Sequence, residues 1–367
     1  MIKLSKSSLS IKEKLAVSNV LDREFLGMGQ EVQEFEKNLT NFFGRPAVVV
    51  ANGTAAIQLA IQSSGIGVND EVLVQSLTYV ASFQAISASG AKPIACDVEP
   101  DSLCINWRDA EKRLTENTKA IMPVHYGGAV GKLDEIYKFA SANGLVVIED
   151  AAHAFGSNYK GNRVGSFGDI ACFSFDGIKN ITSGEGGCVV SSNEKVIQKI
   201  RDARLLGVEK DTDNRFLGRR SWEFDVRAQG WRYHMSNIMA SIGIEQLKRF
   251  EELASKRRAL ATIYDSILVS APIDRVLSNL TEIVPHIYPI ILHSGERSYI
   301  REQLLSKNIE TGIHYQPNHT LSLFKDSKNK ELSVTSKIYP KLMSLPLHPD
   351  LTKSDIEYVC KELIKLL

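Results

Sequence analysis

Lys179 is the residue around which the chemistry of this sequence can be organised. It stands in Phe173-Ser174-Phe175-Asp176-Gly177-Ile178-Lys179, where an apolar run ends in a serine and the lysine follows five residues later. A glycine-rich turn, Gly184-Glu185-Gly186-Gly187, leads into another apolar run. A lysine held at a strand end beside such a turn can reach a carbonyl and condense with it as a Schiff base. Most lysines are solvated surface charges. The apolar runs on both sides argue against that fate here.

Three further segments carry matching chemistry. Val146-Val147-Ile148-Glu149-Asp150 is an apolar run closed by two acids. In an open α/β sheet ligands bind beyond the carboxyl ends of strands, so Asp150 is placed to meet one. A carboxylate there can keep a pyridine nitrogen protonated, or it can simply cap a turn. Ala51-Asn52-Gly53-Thr54-Ala55 joins a strand to a helix. The free N–H groups of that helix start suit a phosphate, although Thr54 could equally be an ordinary N-cap. Tyr79 follows the run 71–76, again at a carboxyl end, where its ring could stack on a flat cofactor or serve as a core or interface tyrosine. Together these supply a phosphate site, a ring stacker, a partner for a ring nitrogen and a lysine. That set matches pyridoxal phosphate. No GxGxxG follows a first strand and no Walker lysine follows a glycine loop, so dinucleotide and P-loop chemistry are disfavoured.

The elements that position these residues can be read from the same pattern. Short apolar runs at 47–50, 71–76, 92–98, 119–126, 144–150, 169–175 and 187–192 predict strands. Helical patterns start near Thr54, Tyr79, Trp107, Leu133 and Asn193. The alternation predicts an α/β fold with a mainly parallel sheet covered on both faces. Residues 207–235 are charged, aromatic and weakly periodic, which suits an ordered lid or an interface; a solvated loop is the plainer alternative. Next comes one long helical pattern with the apolar stripe Ile244, Leu247, Phe250, Leu253 and Leu260. Strands are expected at 283–292 and 310–316, and a last helix capped by Thr352. The reading is a large domain over 1–240 and a smaller α+β domain over 241–367.

Composition excludes other classes. Among 367 residues, 44 Lys+Arg face 43 Asp+Glu, a formal net charge of +1. That argues against a nucleic-acid binder, which is usually basic. No apolar run is long enough for a membrane helix, and the first twenty residues do not read as a signal peptide. Five cysteines are scattered singly, with no metal-ligand spacing. A reduced, cytoplasmic protein without a metal site is expected.

The chain resembles the DegT/DnrJ/EryC1/StrS nucleotide-sugar aminotransferases, which are pyridoxal-phosphate enzymes of fold type I. The resemblance runs from Leu26-Gly27-Met28-Gly29 to Ser344-Leu345-Pro346-Leu347-His348-Pro349. It is most specific in NGTAA (52–56), EDAAHA (149–154), the pair Ser174 and Lys179, and GEGG (184–187). It implies that Lys179 is the Schiff-base lysine and proton shuttle, and that Asp150 partners the ring nitrogen. His153 would contact the ring's phenolic oxygen. Ser174 and the backbone of Gly53, Thr54 and Ala55 would cradle the phosphate, with Tyr79 stacked on the ring. His314, Tyr315 and His319 match positions near the substrate.

One segment departs from the family. Its Gly-Tyr-Asn-Tyr-Arg-Met is Gly230-Trp231-Arg232-Tyr233-His234-Met235 here. The family asparagine reaches the phosphate of the neighbouring subunit; Arg232 takes its place, and a guanidinium binds phosphate well. His234 replaces the family arginine. The resemblance further implies a homodimer with shared active sites, and Arg215, Arg219 and Arg220 as candidate contacts for a nucleotide diphosphate. The activity implied is ping-pong transfer of an amino group from L-glutamate to a nucleotide-linked keto-deoxysugar, for glycan or O-antigen assembly. Alternatives are amination of a cyclitol or another cyclic ketone, or a non-catalytic regulatory homologue. Sugar dehydration is disfavoured, since relatives that dehydrate have histidine in place of the lysine.

Overall fold

The structure, a computed structural model, describes residues 1–325 and 331–367. Apolar runs of four or five residues become strands. In chain order these are β1 (Ala47–Val50), β2 (Glu71–Gln75), β3 (Lys92–Cys96), β4 (Thr118–Met122) and β5 (Val146–Asp150). A two-residue hairpin, β6 (Asn158–Tyr159) and β7 (Asn162–Arg163), precedes β8 (Ile170–Ser174) and β9 (Gly187–Val190). The large sheet has the order β1-β9-β8-β5-β4-β2-β3. Strands β3, β2, β4, β5 and β8 pair in parallel, and β9 runs against both β1 and β8.

Both faces are covered, so each strand feeds two cores. Val48 and Val50 pack with the helix Gly53–Ser63, while Ala47 and Val49 pack with Phe35 and Phe43 of the helix Gln30–Phe43. This two-residue period decides where the polar strand ends point. Asp150 is in step with Ile148, and Ser174 with Cys172 and Ile170, and those apolar residues share one core. Asp150 and Ser174 therefore sit on the face that also receives the start of the helix Gly53–Ser63. All five cysteines are buried and free. Among the described residues, no helix is long and apolar enough to cross a membrane.

A second, antiparallel sheet of order β10-β11-β12 is formed by β10 (Ile273–Arg275), β11 (Tyr288–Leu292) and β12 (Leu342–Leu345). Its core takes Leu260 and Tyr264, Ile300 and Leu304, and Val359 and Leu363 from three helices. The last of these, Lys353–Ile364, is capped by Thr352 in a capping box with Asp355. The N-terminal arm lies against this part: Ile2 pairs with Ile309, and Leu4 accepts from the Leu347 N–H.

Three sequence expectations are corrected. The long helical pattern is two helices, Asn237–Lys248 and Phe250–Ile267, broken at Arg249. The first packs on the helices Ile11–Asp22 and Gln30–Phe43, and the second on Lys353–Ile364, so one straight axis cannot serve both. The break is fixed by Arg249 bonding Glu13 at 2.8 Å and by Phe250 seated against Gly156, where a Cβ would come within 1.9 Å of its ring. Of 283–292 only Tyr288–Leu292 is a strand. Upstream, the Val284 N–H bonds the Ser157 hydroxyl and the His286 N–H bonds the Gly127 carbonyl, so this backbone serves neighbouring loops instead of a ladder. Residues 310–316 keep one bridge, Gly312 to Ser344, before the His314 carbonyl accepts from the Tyr126 hydroxyl and leaves the sheet edge.

Segment 207–235 contains a short helix, Asp211–Phe216, and two isolated bridges, Val208 to Val226 and Leu205 to Arg232. Trp222 and Phe224 stand exposed at its tip.

Candidate active site

The parallel strands end on one edge of the large sheet, and the chemistry-bearing residues collect there. At the end of β1, Asn52 caps the helix Gly53–Ser63 by accepting the Ala55 N–H at 2.8 Å. Asn52, not Thr54, is thus the cap. Ala55 has its N–H engaged there, which leaves Gly53 and Thr54 to offer theirs outward. Gly53 presses against Ser174: a Cβ on it would lie 2.8 Å from the serine Cβ. Only glycine lets the helix start and the end of β8 approach so closely. Two backbone donors and one hydroxyl thereby converge where the helix dipole is positive.

Asp150 ends β5 and is buried. Its Oδ2 accepts from the Ser82 hydroxyl at 2.7 Å and its Oδ1 from the Ala152 N–H at 3.2 Å. Burial pushes its pKa up, against those hydrogen bonds and the charges of Lys179 and His125. A carboxylate in this state is held ionised by any cation placed against it, and a protonated ring nitrogen is such a cation.

Lys179 follows β8 in a turn that is tied at three points. Ser7 of the N-terminal arm donates to the Gly177 carbonyl at 2.5 Å. The Arg257 guanidinium bonds the Ile178 carbonyl at 3.4 Å, and Asn180 bonds the Phe155 and Val284 carbonyls, both at 3.2 Å. Burial brings the lysine pKa down to about 8, opposed by Asp150 and Asp176 and assisted by Arg257. A lysine so placed is neutral far more often than an exposed lysine near physiological pH and can act as nucleophile and base.

The aromatic and histidine residues form a wall beside it. His153 accepts the Gly127 N–H at Nδ1, 3.3 Å, which assigns its proton to Nε2; that nitrogen lies 3.0 Å from the Tyr315 hydroxyl. Burial, then Lys179 and His314, hold the His153 pKa well below its usual range. Tyr315 also meets Tyr79, ring centroids 5.4 Å apart, and Tyr79 remains exposed. His314 Nδ1 bonds the Ser344 hydroxyl at 2.8 Å, and burial brings its pKa down to about 4. His319 bonds Ser76 at 2.7 Å just beyond β2, and Asn318 fastens the same turn to the carbonyls of Ser76 and Thr78.

Arg232 lies apart from this group. Trp231 and Tyr233 bond Gln62 and Gln58 of the helix Gly53–Ser63, so the alternate side chains Arg232 and His234 face the other way. They line a cavity of about 110 Å³ with Asp211, Arg215 and Phe224. Burial and the nearby arginines, Arg232 first, bring the His234 pKa down to about 4.

The sequence reading did not single out several contributors. Ser82 holds Asp150 from one turn into the helix Val80–Ala88. His286 lies against His153 with ring centroids 4.3 Å apart. His125 and Glu149 form a buried pair at 2.7 Å behind Asp150. Arg257 had a visible signal: it falls between Leu253 and Leu260 on the apolar stripe of its helix, where a solvated cation does not belong.

The residues fit pyridoxal phosphate. The cradle at Gly53, Thr54 and Ser174 suits its phosphate, Asp150 its ring nitrogen, and Lys179 its carbonyl. When bound, the cofactor supplies a carbonyl for amine condensation and a protonated ring that draws electrons from the adjoining carbon.

The chain is similar to several known proteins over its whole length. An uncharacterized protein of Methanocaldococcus jannaschii is 34% identical over 361 residues, covering 96% of this chain and 94% of that one. Spr1654 from Streptococcus pneumoniae, in its PMP form, superposes with a TM-score of 0.92 at 27% identity, over 100% of this chain and 99% of that one. The sugar aminotransferase CalS13 from Micromonospora echinospora gives 0.91 at 28% identity, over 100% of both chains. The DegT/DnrJ/EryC1/StrS aminotransferase family matches residues 8–364. The chain belongs to that family of pyridoxal-phosphate-dependent transaminases.

Proposed function

We propose that this transaminase moves an amino group from L-glutamate to a nucleotide-linked keto-deoxysugar, a 3-keto- or 4-keto-6-deoxyhexose, in glycan or O-antigen assembly. The observation that carries the reading is the shared face of Asp150, Ser174 and Gly53 beside a lysine whose pKa is lowered to about 8. On this reading Gly53, Thr54 and Ser174 bind the phosphate, with Ala55 held in its cap. Asp150 holds the ring nitrogen, and His153 faces the ring's phenolic oxygen. Lys179 takes and returns the protons of each half-reaction. Tyr79, His314, Tyr315 and His319 line the way in for the sugar. CalS13, a sugar aminotransferase, supports that substrate class through its matching fold.

The same reading makes the working unit a cytoplasmic homodimer. The exposed apolar residues Ile11, Leu15, Phe25, Trp222 and Phe224 would be covered by a second copy. Arg232 points away from its own cradle and would reach the partner's phosphate, with Arg215, Arg219 and Arg220 near the nucleotide diphosphate. The test loads the protein as the pyridoxamine form and challenges it with 3-keto and 4-keto nucleotide sugars and a cyclitol ketone. Discharge by a nucleotide sugar is expected. Discharge by the cyclitol ketone alone contradicts the substrate class.

A further inference from the structure

Arg257 is buried with 1% of its surface exposed, and no carboxylate pairs with it among the described residues. That is unusual for a charge removed from water, which normally sits against a counterion. The other fully buried arginine, Arg204, has one in Glu36. Its two terminal nitrogens instead bond main-chain carbonyls, His286 at 3.1 Å, Pro285 at 3.5 Å, Leu347 at 3.3 Å and Ile178 at 3.4 Å, while its Nε is buried without a partner among the described residues. These belong to three separate parts of the site. Ile178 precedes Lys179, His286 lies against His153, and Leu347 follows β12 of the small sheet.

We propose that Arg257 is a positioning residue of the transfer reaction: its guanidinium locks the Lys179 turn to the His286 loop and the small sheet, and places a positive charge without a carboxylate partner on the carbonyl that precedes Lys179. A planar fork with five donors can span carbonyls from three segments, which an ammonium cannot do with the same geometry. The charge acts on three nearby basic groups. Arg257 opposes protonation of Lys179, His286 and His348. For Lys179 the opposing groups are Asp150 from β5 and Asp176 from its own turn. The histidines that face the lysine, His153, His286 and His314, are all depressed and add no positive charge near neutrality. Burial and Arg257 thus both favour the neutral amine, while Asp150 and Asp176 keep the shift from going further.

The inference rests on Lys179 as the reacting amine, and its test reads that amine directly. The full chain, freed of cofactor, is treated with an amine-acylating reagent across pH 6 to 11, and labelling of the Lys179 peptide is followed by mass spectrometry. The wild-type midpoint is expected at about 8. Arg257→Gln keeps amide donors for the carbonyls but removes the charge, and its midpoint rises by about one pH unit. Arg257→Lys keeps the charge, and its midpoint stays within about 0.3 units of wild type, while kcat falls with KM for the amino donor little changed. A folded Arg257→Gln protein with the wild-type midpoint overturns the proposal. So does an Arg257→Lys midpoint raised by a full unit, which decides the matter even where Arg257→Gln does not fold. If Lys179 is not the cofactor's lysine, that failure is seen separately, as cofactor fixed to another residue on reduction.

Discussion

The Ser82 hydroxyl donates to Asp150 Oδ2 at 2.7 Å, and it does so from the first turn of the helix that Tyr79 begins. One short segment therefore sets an exposed ring against Tyr315 and steadies the buried carboxylate. Hydrogen bonds to a charged acceptor contribute about 1.5–3 kcal/mol. Ser82→Ala is expected to weaken pyridoxal phosphate binding by roughly tenfold or more, measured by absorbance titration.

Gly53→Ala tests the cradle. Its new Cβ would stand 2.8 Å from the Ser174 Cβ, too close for either element to stay in place. Cofactor affinity should fall by at least about a hundredfold, since two N–H donors and the hydroxyl move together. Ser174→Ala removes only the hydroxyl and should cost far less, about tenfold.

Tyr315→Phe removes the oxygen that faces His153 Nε2 at 3.0 Å. A buried ring N–H is then left without a partner, at a cost of about 1–3 kcal/mol in stability. The midpoint of urea unfolding should fall with an unchanged slope.

Acid should destabilise the protein in a window set by its histidines. His314 and His234 are lowered to about 4 in the folded chain, and His153 and His286 lie well below the ordinary value of 6.5. Between those values the unfolded chain binds more protons than the folded one, so stability rises with pH and is lost as pH falls from about 6.5 through about 4. His319 and His348 are lowered as well, so Asp150 and Glu185, both raised by burial, act in the opposite sense as two groups against six. Melting temperature measured from pH 7 to 4 should decline steadily. His314→Gln should flatten part of that decline.

Much of this site was legible because its residues lie at strand ends. Apolar runs bounded by Gly and Asp give strands buried on both faces, and Asp150, Ser174 and Gly53 fall at their carboxyl ends by spacing alone. What spacing could not give were bonds made across long separations. The Val284 and His286 amides look like strand donors in the sequence, yet they bond Ser157 and Gly127. Arg249 looks like the middle of one helix, yet it reaches Glu13 more than two hundred residues away. The direction of Arg232 followed only from the bonds of its neighbours Trp231 and Tyr233.

The central claim is that Lys179 is the amine that meets the cofactor, and one measurement tests it most directly. The protein is loaded with pyridoxal phosphate, reduced with borohydride, digested and mapped by mass spectrometry. The pyridoxyl group is expected on Lys179 alone, with Lys179→Ala giving no labelled peptide and no amino transfer. A pyridoxyl group on any other lysine, or transfer retained by Lys179→Ala, would contradict the account.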